Sequence, residues 1–383
     1  MDAAAPPTQP LPAAPDTAVV VPPPARSPSY YVRQRLWQNR PAVAGLGFIL
    51  LCALVALLGY WVLPDNSPNA NNGLIQLQKQ PPGFRATLRQ VPDPAAPPPA
   101  NIWQVWLHGQ PAQLKDEVVS EESAARKAQD SGAPVPATNS SASATHSFTY
   151  SLIHHRTYFL GTDKAGRDEL SRLLLGTRIS LGIGLVAVLI SLALGVLVGA
   201  LAGYFGGWID SLLLGLMTVV WSIPGIMLVI GISLALDSKG VWVSFLAVGL
   251  TMWVDVARVV RGQVLGLRSA TFIEAGRVLG LPTWRLIFVH LLPNLRGPLI
   301  VLATSNFAAA ILLEAGLSFL GLGVQPPAPS WGLMVKEGYD LLGTTAGLWL
   351  TLLPGLAISL LVLSFNVLGN GLRDAFDPKT AVG

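Results

Sequence analysis

Residues 274–294 are EAGRVLGLPTWRLIFVHLLPN, and they lie between two long apolar stretches of the chain. Thr271, with Glu274 three residues later, matches a capping box and predicts that a helix starts at Thr271. Gly280 suits the left-handed position after a helix, and Pro282 prevents that helix from continuing. At roughly 1.5 Å per residue the helix is about 12 Å long. The sequence therefore predicts a short, knob-like helix of a size that fits a groove on a partner.

After this helix the sequence predicts a second short segment, Trp284 to His290, which ends at Leu292-Pro293. The local pattern alone fits an ordinary helix–turn–helix loop without a partner as well as it fits a docking helix. The apolar side chains of the knob-like helix are Phe272, Ile273, Val278 and Leu279.

The composition places this loop in a membrane protein. Apolar residues make up 51% of the chain and charged residues only 12%, and the apolar residues come in long blocks. A spanning helix needs about 20 mostly apolar residues. The sequence therefore predicts an all-α integral membrane protein with six transmembrane helices. The six segments are Ala42–Val62, Ile179–Leu201, Ser211–Leu236, Val241–Ala257, Leu299–Leu322 and Leu348–Leu368, of which the fourth is the shortest.

Positive charges beside the spans predict their orientation, because short loops rich in Lys and Arg stay in the cytoplasm. Arginines precede the first span and crowd the loop before the fifth, whereas the loops after the third and fifth spans carry only Lys239 and Lys336. Both termini are therefore expected in the cytoplasm, as in a multi-pass inner (plasma) membrane protein. The membrane topology explains the excess of basic residues, which is therefore not evidence of a nucleic-acid-binding surface. The arginines are Arg33, Arg35, Arg40, Arg258, Arg261, Arg268, Arg277, Arg285 and Arg296.

The first span is too long for a signal peptide and begins too late, so it is expected to stay as an anchor. The single Cys52 excludes a disulfide framework and a cysteine metal site within one chain. The expected divisions are a cytoplasmic tail (1–40), the first transmembrane helix (41–63), an extracytoplasmic loop region (64–158), a core of five transmembrane helices (159–370) with a cytoplasmic loop at 259–297, and a cytoplasmic tail (371–383).

The outer loop carries mixed signals. Gly83–Val91 and Asn101–Leu107 are expected to pair as strands, and Trp103 and Trp106 predict a packed patch on the loop itself or against the membrane. Proline-rich and Ser/Ala-rich stretches, including Ser131–Ser147, argue against one compact domain.

No catalytic or metal constellation is predicted. Residues 161–167 have the glycine spacing of a phosphate loop, but Arg167 stands where the motif needs Lys, so nucleotide binding there is rejected. His146, His154 and His155 fit a solvated loop better than a metal site. The charges around this segment predict a salt-bridged entry to the second span, made by Asp163, Lys164, Arg167, Asp168, Glu169 and Arg172.

Polar groups inside spans are costly, and they are therefore candidates for function. Asn306, Glu314 and Ser318 in the fifth span are candidates for a transport pathway or gate, and a hydrogen bond that fixes helix packing explains them equally well. Asp255 and Arg258 are expected to form a structural ion pair. Close helix packing or a kink is predicted at Gly182, Gly184, Gly195, Gly199 and Pro224-Gly225.

Leu160 to Pro378, over half of the chain, resembles the C-type membrane subunit of dipeptide/oligopeptide ABC importers. The motifs that carry the resemblance are specific when taken together. They are GTD followed by GRD within residues 161–168, the EAG loop ending in LPN at 294, LSFLGLG at 317–323 and PSWG at 329–332.

The resemblance implies the type I ABC importer permease fold and three kinds of protein partner, besides the lipid membrane: a related second permease, two cytoplasmic ABC ATPases and an extracytoplasmic substrate-binding protein. ATP and Mg would be bound by the ATPases, so this chain is expected to bind no cofactor and to be a transport subunit and not an enzyme. The family's ATPase-docking Glu and Gly fall on Glu274 and Gly280. The expected coupling loop comprises Thr271, Glu274, Ala275, Gly276, Gly280, Pro282, Leu292 and Pro293.

The resemblance implies peptide import by alternating access. Nickel or another small solute is an alternative cargo within the family. Two alternatives lie outside it: an ATPase-independent carrier or channel that uses Glu314, and a scaffold built around the outer loop. The chain also departs from the family pattern at Gly276, where Ala is usual, at His290, where an aliphatic residue is usual, and at Gly215 and Thr218, where relatives often carry Arg and Asp.

Overall fold

The computed structural model describes residues 28–92, 98, 100–111, 113–118, 152–237 and 240–377. Most of these residues are helical, and one small sheet lies between the first two spans. The helices are α1 (Pro28–Gln38), α2 (Arg40–Leu58), α3 (Ile102–His108), α4 (Glu169–Phe205), α5 (Gly207–Trp221), α6 (Gly225–Ala235), α7 (Val241–Leu267), α8 (Thr271–Val278), α9 (Thr283–Arg285), α10 (Arg296–Phe319), α11 (Trp331–Tyr339) and α12 (Gly347–Phe376). The strands are β1 (Phe84–Pro92), β2 (Leu114–Val118) and β3 (Leu152–Tyr158).

Five of the described helical segments are long and apolar enough to cross a membrane. The sixth predicted span is two helices, α5 and α6, which meet at an angle of 90°. Pro224 explains the break, since it has no N–H for the helical ladder and its ring clashes with the preceding turn. The kink predicted at Pro224-Gly225 is confirmed, and it divides the predicted span into two helices. The five segments are Arg40–Trp61, Glu169–Phe205, Val241–Leu267, Thr283–Phe319 and Gly347–Phe376.

Helices α4 and α7 pack side by side and run in the same direction. A Cβ placed on Gly199 would meet Cβ of Val260 at 2.9 Å, and one placed on Gly203 would meet Cβ of Val264 at 2.8 Å. Only glycine leaves room for backbones this close. Because two neighbouring parallel helices need a return across the membrane between them, the bent α5–α6 pair must count as one crossing. The described part of the chain therefore makes six crossings.

The region between the first two spans contains a three-stranded antiparallel sheet in the order β2-β1-β3. The strand predicted at 83–91 is confirmed as β1, but its partners are β2 and β3. The strand predicted at 101–107 was wrong, because this segment is α3, whose first turn is closed by the Asn101 N–H donating to Oε1 of Gln104 at 3.1 Å.

The described part of the outer region has a small core of its own, formed by Leu77, Ala86, Leu88 and Tyr158. This core was not expected from the composition. Ser131–Ser147, including His146, lies outside the described residues.

Helix α3 lies against the outer end of the first span. Nε1–H of Trp106 donates to the carbonyl of Leu57 at 2.6 Å, and the Arg178 guanidinium lies over the Trp106 ring, 4.6 Å from its centroid. Trp103 stays exposed. The Trp103 ring packs edge-on against the Trp106 ring, with 6.4 Å between their centroids, so the predicted tryptophan patch is confirmed, with Trp106 packed on the chain and Trp103 on its exposed side.

Candidate functional site

Helix α8 begins at Thr271 as predicted, but the capping box there was wrong. Ala270 is the N-cap residue, and no side chain caps the helix. The Glu274 N–H donates to the carbonyl of Ala270 at 3.1 Å. The Glu274 carboxylate is exposed, and the described residues offer it no hydrogen-bond or ion-pair partner. This carboxylate is therefore available to a partner.

The end of α8 confirms the prediction for Gly280, whose φ is 73°. The Leu281 N–H donates to the Gly276 carbonyl and the Gly280 N–H donates to the Arg277 carbonyl, each at 3.0 Å. These two bonds form a Schellman motif, which a residue with a side chain would strain at the Gly280 position. Pro282 then precedes the next helical turn, α9.

One side of α8 is seated on the ends of the long helices. Ile273 is fully buried in a cluster with Val264 of α7 and with Ile287 and Leu295. The Arg277 guanidinium lies 5.3 Å from the ring centroid of Tyr204, at the inner end of α4. A displacement of α8 therefore acts directly on α4 and α7.

Gly276 packs on the same side, close to Leu286. A Cβ at Gly276 would approach Cδ2 of Leu286 at 2.7 Å. The alanine that is usual at this position in the family would therefore clash with Leu286. Glycine at position 276 allows α8 to pack closely against the segment that contains Leu286.

The opposite side of α8 is exposed and apolar. Val278 is 89% exposed and Leu279 is 78% exposed, and Phe272 and Trp284 are also exposed. Such a patch around an unpaired carboxylate is typical of an interaction surface.

The helical path continues after α9 without the predicted end at Leu292-Pro293. A π-helical stretch, Leu286–Leu291, and a 3₁₀ turn, Leu292–Leu295, lead into α10. Pro293 is tolerated because it stands in the first two positions of the 3₁₀ turn, where no N–H is needed.

The intramembrane candidates Asn306, Glu314 and Ser318 are all buried within the chain. The Ser318 hydroxyl donates to Oε1 of Glu314 at 2.7 Å and accepts from the Val324 N–H at 3.1 Å. Glu314 and Ser318 therefore tie α10 to the turn that follows it. Asn306 lies two turns before Glu314 on α10, and its Nδ2 has no hydrogen-bond partner among the described residues.

The salt-bridged entry predicted before the second span is confirmed at the start of α4 for Asp163, Lys164, Arg167 and Arg172, whereas Asp168 and Glu169 form no ion pair among the described residues. Nε of Arg167 lies 2.6 Å from Oδ2 of Asp163, and Nη1 of Arg172 contacts Asp163 as well as Oε2 of Glu337 at 2.9 Å. These four side chains, which we call the outer ion cluster, are buried. Burial alone would raise the pKa of Asp163, but Arg172, Arg167 and backbone N–H donors outweigh it and lower that pKa.

The turn at residues 161–167, which has the glycine spacing of a phosphate loop, is filled by the Asp163 carboxylate. The N–H groups of Ala165 and Arg167 donate to Oδ1 of Asp163 at 2.8 and 2.9 Å. Asp168 caps α4 by accepting from the Ser171 N–H at 3.1 Å, and burial raises the pKa of Asp168. The amide donors that would hold a phosphate are thus engaged within the chain.

Two acidic partners escaped the sequence analysis. Glu337 completes the outer ion cluster from α11, and Asp210 pairs with Arg261 at 2.5 Å near the inner end of α5. The arginines in both segments indicated that acidic partners were needed. However, Glu337 lies 165 positions from Arg172, and Asp210 lies 51 positions from Arg261, so the sequence did not identify them.

The ion pair predicted between Asp255 and Arg258 is not formed. Arg258 lies over the Trp221 ring, 4.4 Å from its centroid, and Asp255 is exposed in a cavity of about 260 Å³ at the bend between α5 and α6. The charged and aromatic groups at this bend are therefore arranged differently from the expectation.

Comparisons with known proteins agree on one family. Residues 195–382 match the model described as binding-protein-dependent transport system inner membrane component, and residues 27–82 match the N-terminal TM domain of oligopeptide transport permease C. Residues 83–194 fall between the two matches.

Curated relatives are similar over 222 residues, which is 58% of this chain. The glutathione transport system permease protein GsiD of Pectobacterium atrosepticum is 41% identical, with 73% of its length covered. The oligopeptide transport system permease protein OppC of Escherichia coli (strain K12) is 42% identical, with 72% covered. A solved structure of the MetNI methionine ABC transporter in an inward-facing conformation is similar at 19% identity and a TM-score of 0.45, over 54% of this chain and 97% of that one.

Proposed function

Because this chain belongs to the family of binding-protein-dependent transport system inner membrane components, we propose that it is the permease subunit of an ATP-driven importer of peptides. It is a multi-pass inner membrane protein with the type I importer permease architecture. It forms half of the translocation pathway, and a related second permease forms the other half. The names of its relatives, which transport oligopeptides, dipeptides and glutathione, favour a peptide over nickel or another small solute.

The observation that carries the proposal is the two-sided construction of α8. Its inner side is fixed to the ends of α4, α7 and α10 through Ile273, whereas its outer side presents the unpaired Glu274 among exposed apolar side chains. A cytoplasmic ATPase that grips Glu274 and the apolar side chains can move the spans through Ile273.

ATP and Mg are bound by two ATPase partners in this proposal, and this chain carries no catalytic residue of its own. ATP binding draws the ATPases together, α8 follows, and α4 and α7 tilt with it. The pathway then opens to the outside, where a binding protein delivers the substrate.

The carrier alternative based on Glu314 gains no support from the geometry. Glu314 and Ser318 bond to each other in the interior of the fold. We assign them, together with Asn306, to the packing of α10 and not to the surface of the pathway.

Six crossings place both termini on one side of the membrane, and the arginines around α7 and α8 favour the cytoplasm for that side. Asp210–Arg261 and Arg268 all lie near the inner end of α4 and α5, where they mark the cytoplasmic interface. This assignment puts the outer sheet and the outer ion cluster on the side of the binding protein.

The test is to purify the tagged chain from its native membrane and to compare wild type with Glu274→Ala. We expect a second permease with both, and ATPase subunits reduced or lost in Glu274→Ala. Glu117→Ala is the matched control, since Glu117 is also exposed but lies on β2. Equal ATPase recovery from all three preparations would refute the role of Glu274, and a wild-type chain recovered alone would refute the importer.

A further inference from the structure

The bend between α5 and α6 opens a cavity of about 260 Å³ on the side of α7. Apolar side chains form nearly all of its wall. Among the described residues that line it, Asp255 is the only one with a charge. The lining also includes Trp221, Pro224, Thr251 and Leu313.

Asp255 lies on α7 within the membrane, towards the inner end of that helix. It is six residues, or about 9 Å, before Arg261, whose ion pair with Asp210 lies near the inner ends of α4 and α5. An ionisable residue at this depth is costly unless it faces protein or a water-filled cavity.

The surrounding residues do not neutralise Asp255. The nearest candidate, Arg258, is held elsewhere: it lies over Trp221, and its Nη2 is 3.5 Å from the Thr218 hydroxyl. The Thr251 hydroxyl donates to the Ala247 carbonyl at 2.7 Å. Asp255 is exposed and forms no ion pair within 4.0 Å among the described residues.

The backbone at the bend gives an independent reason to expect water there. Between α5 and α6 the chain leaves helical geometry at Ile223-Pro224. Non-helical backbone at membrane depth is tolerated only where it is buried in protein or lines a water-filled cavity. Ile223 is exposed and Pro224 lines the cavity, so the bend is not covered by this chain.

We propose that Asp255 faces the translocation pathway and binds the ammonium group of a peptide in transit. This inference rests on the proposed function. A carboxylate in a cavity with an otherwise apolar wall selects a cation with hydrogen-bond donors. The apolar wall makes no directional demand on side chains. A site with one fixed charge and an apolar wall suits peptides, which all carry an N-terminal ammonium group but differ in their side chains.

Cysteine labelling tests whether Asp255 faces water. Cys52 is the only cysteine and is buried, so Cys52→Ala provides a background for single-cysteine variants of the assembled complex. In inside-out vesicles without nucleotide, a membrane-impermeant cationic methanethiosulfonate should label Asp255→Cys and Thr251→Cys at least about tenfold faster than Leu54→Cys, which is exposed on the first span. Rates as slow as that of Leu54→Cys at both cavity positions would overturn the proposal.

Protection by peptide tests the ammonium site without the binding protein. Trialanine added to the same vesicles should slow the labelling of Thr251→Cys, whereas N-acetyl-trialanine, which lacks the ammonium, should not. Adding Asp255→Asn should raise the trialanine concentration needed for half protection by about tenfold, as expected for a lost charge-assisted hydrogen bond, and Asp255→Glu should restore most of it. Equal protection by both peptides, or protection unchanged by Asp255→Asn, would overturn the assignment.

Pairing with the second permease is the competing explanation for Asp255. It predicts that Asp255→Asn lowers recovery of that subunit with the tagged chain, and such a result would also overturn the proposal. Failure of the proposed function looks different, because the wild-type chain would then bring no ATPase with it. The labelling needs no ATP and is carried out in membrane vesicles, so the rates are measured whether or not an ATPase is bound to the chain.

Discussion

The inner loop around α8 and the outer junction at the start of α4 are held in opposite ways. Ile273 seats α8 by apolar contact, and the other side of that helix is left open. At the outer junction, two arginines and two carboxylates from distant parts of the chain are buried together. Apolar packing has no fixed direction, whereas buried ion pairs tolerate little displacement. The comparison suggests that the inner contact is built to transmit motion and the outer one to hold its position.

Breaking the outer ion cluster should have the largest effect. Arg172→Met leaves two buried carboxylates, Asp163 and Glu337, with Arg167 as their one remaining arginine partner, and we expect a loss of about 3–5 kcal/mol in the free energy of unfolding. The midpoint of thermal unfolding of the solubilised chain measures it. Lys164→Met is the control, because Lys164 is 44% exposed and its pair with Glu337 at 3.5 Å is worth only about 0–1 kcal/mol. Equal shifts for the two variants would contradict a rigid outer junction.

Removing the inner seat should come next, with a local effect. Ile273→Ala should cost about 2–4 kcal/mol through the cavity that it leaves, and α8 should detach while the spans stay inserted. Hydrogen exchange of the 271–280 amides measures this detachment. Phe272→Ala, a change on the exposed side, should leave that exchange unchanged. Faster exchange throughout the spans of Ile273→Ala would mean that α8 is part of the rigid core.

A smaller effect is expected at the end of α8. Gly280→Val forces a β-branched residue into a positive φ, at a cost of about 1–2 kcal/mol, and ATPase activity stimulated by the binding protein should fall in the assembled complex. Gly280→Asn is the matched control, since Asn accepts this conformation at lower cost. If Val and Asn reduced stimulation equally, the conformation of Gly280 would not be the cause.

The smallest effect should come from the contact between α3 and the first span. Trp106→Phe removes the donor to the Leu57 carbonyl and should cost about 1 kcal/mol, seen as faster proteolysis around residues 100–111. Trp103→Phe should leave the rate unchanged, because Trp103 is exposed. Transport should survive both changes, which would separate the outer region from the core.

Features governed by local chemistry were predictable from the sequence. The length of the apolar segments predicted the spans, Pro224 predicted the bend in the third span, and Gly280 predicted the end of α8. Each depends on residues within a few positions of one another. The family resemblance then supplied the architecture that these elements form.

The failures concern choices that depend on distant residues or on two competing local patterns. Asn101–Leu107 alternates well enough for a strand, but Asn101 and Gln104 close a helical turn. Thr271 and Glu274 have capping-box spacing, yet Ala270 is the cap. Arg258 packs over the ring of Trp221 and does not pair with Asp255, the nearest carboxylate in the sequence. None of these outcomes follows from spacing alone.

The glycines that bring α4 and α7 together also limit how the two helices can move. Gly195, Gly199 and Gly203 set backbone against side chain along several turns, with no compressible layer between them. The pair must then behave as one stiff lever. Its 37-residue arm, α4, is about 54 Å long and is held at its outer end by the outer ion cluster. A tilt of about 10° about that end would therefore move the opposite end, beside α8, by about 9 Å. The position of the pivot along α4 determines how far α8 moves for a given tilt of the pair.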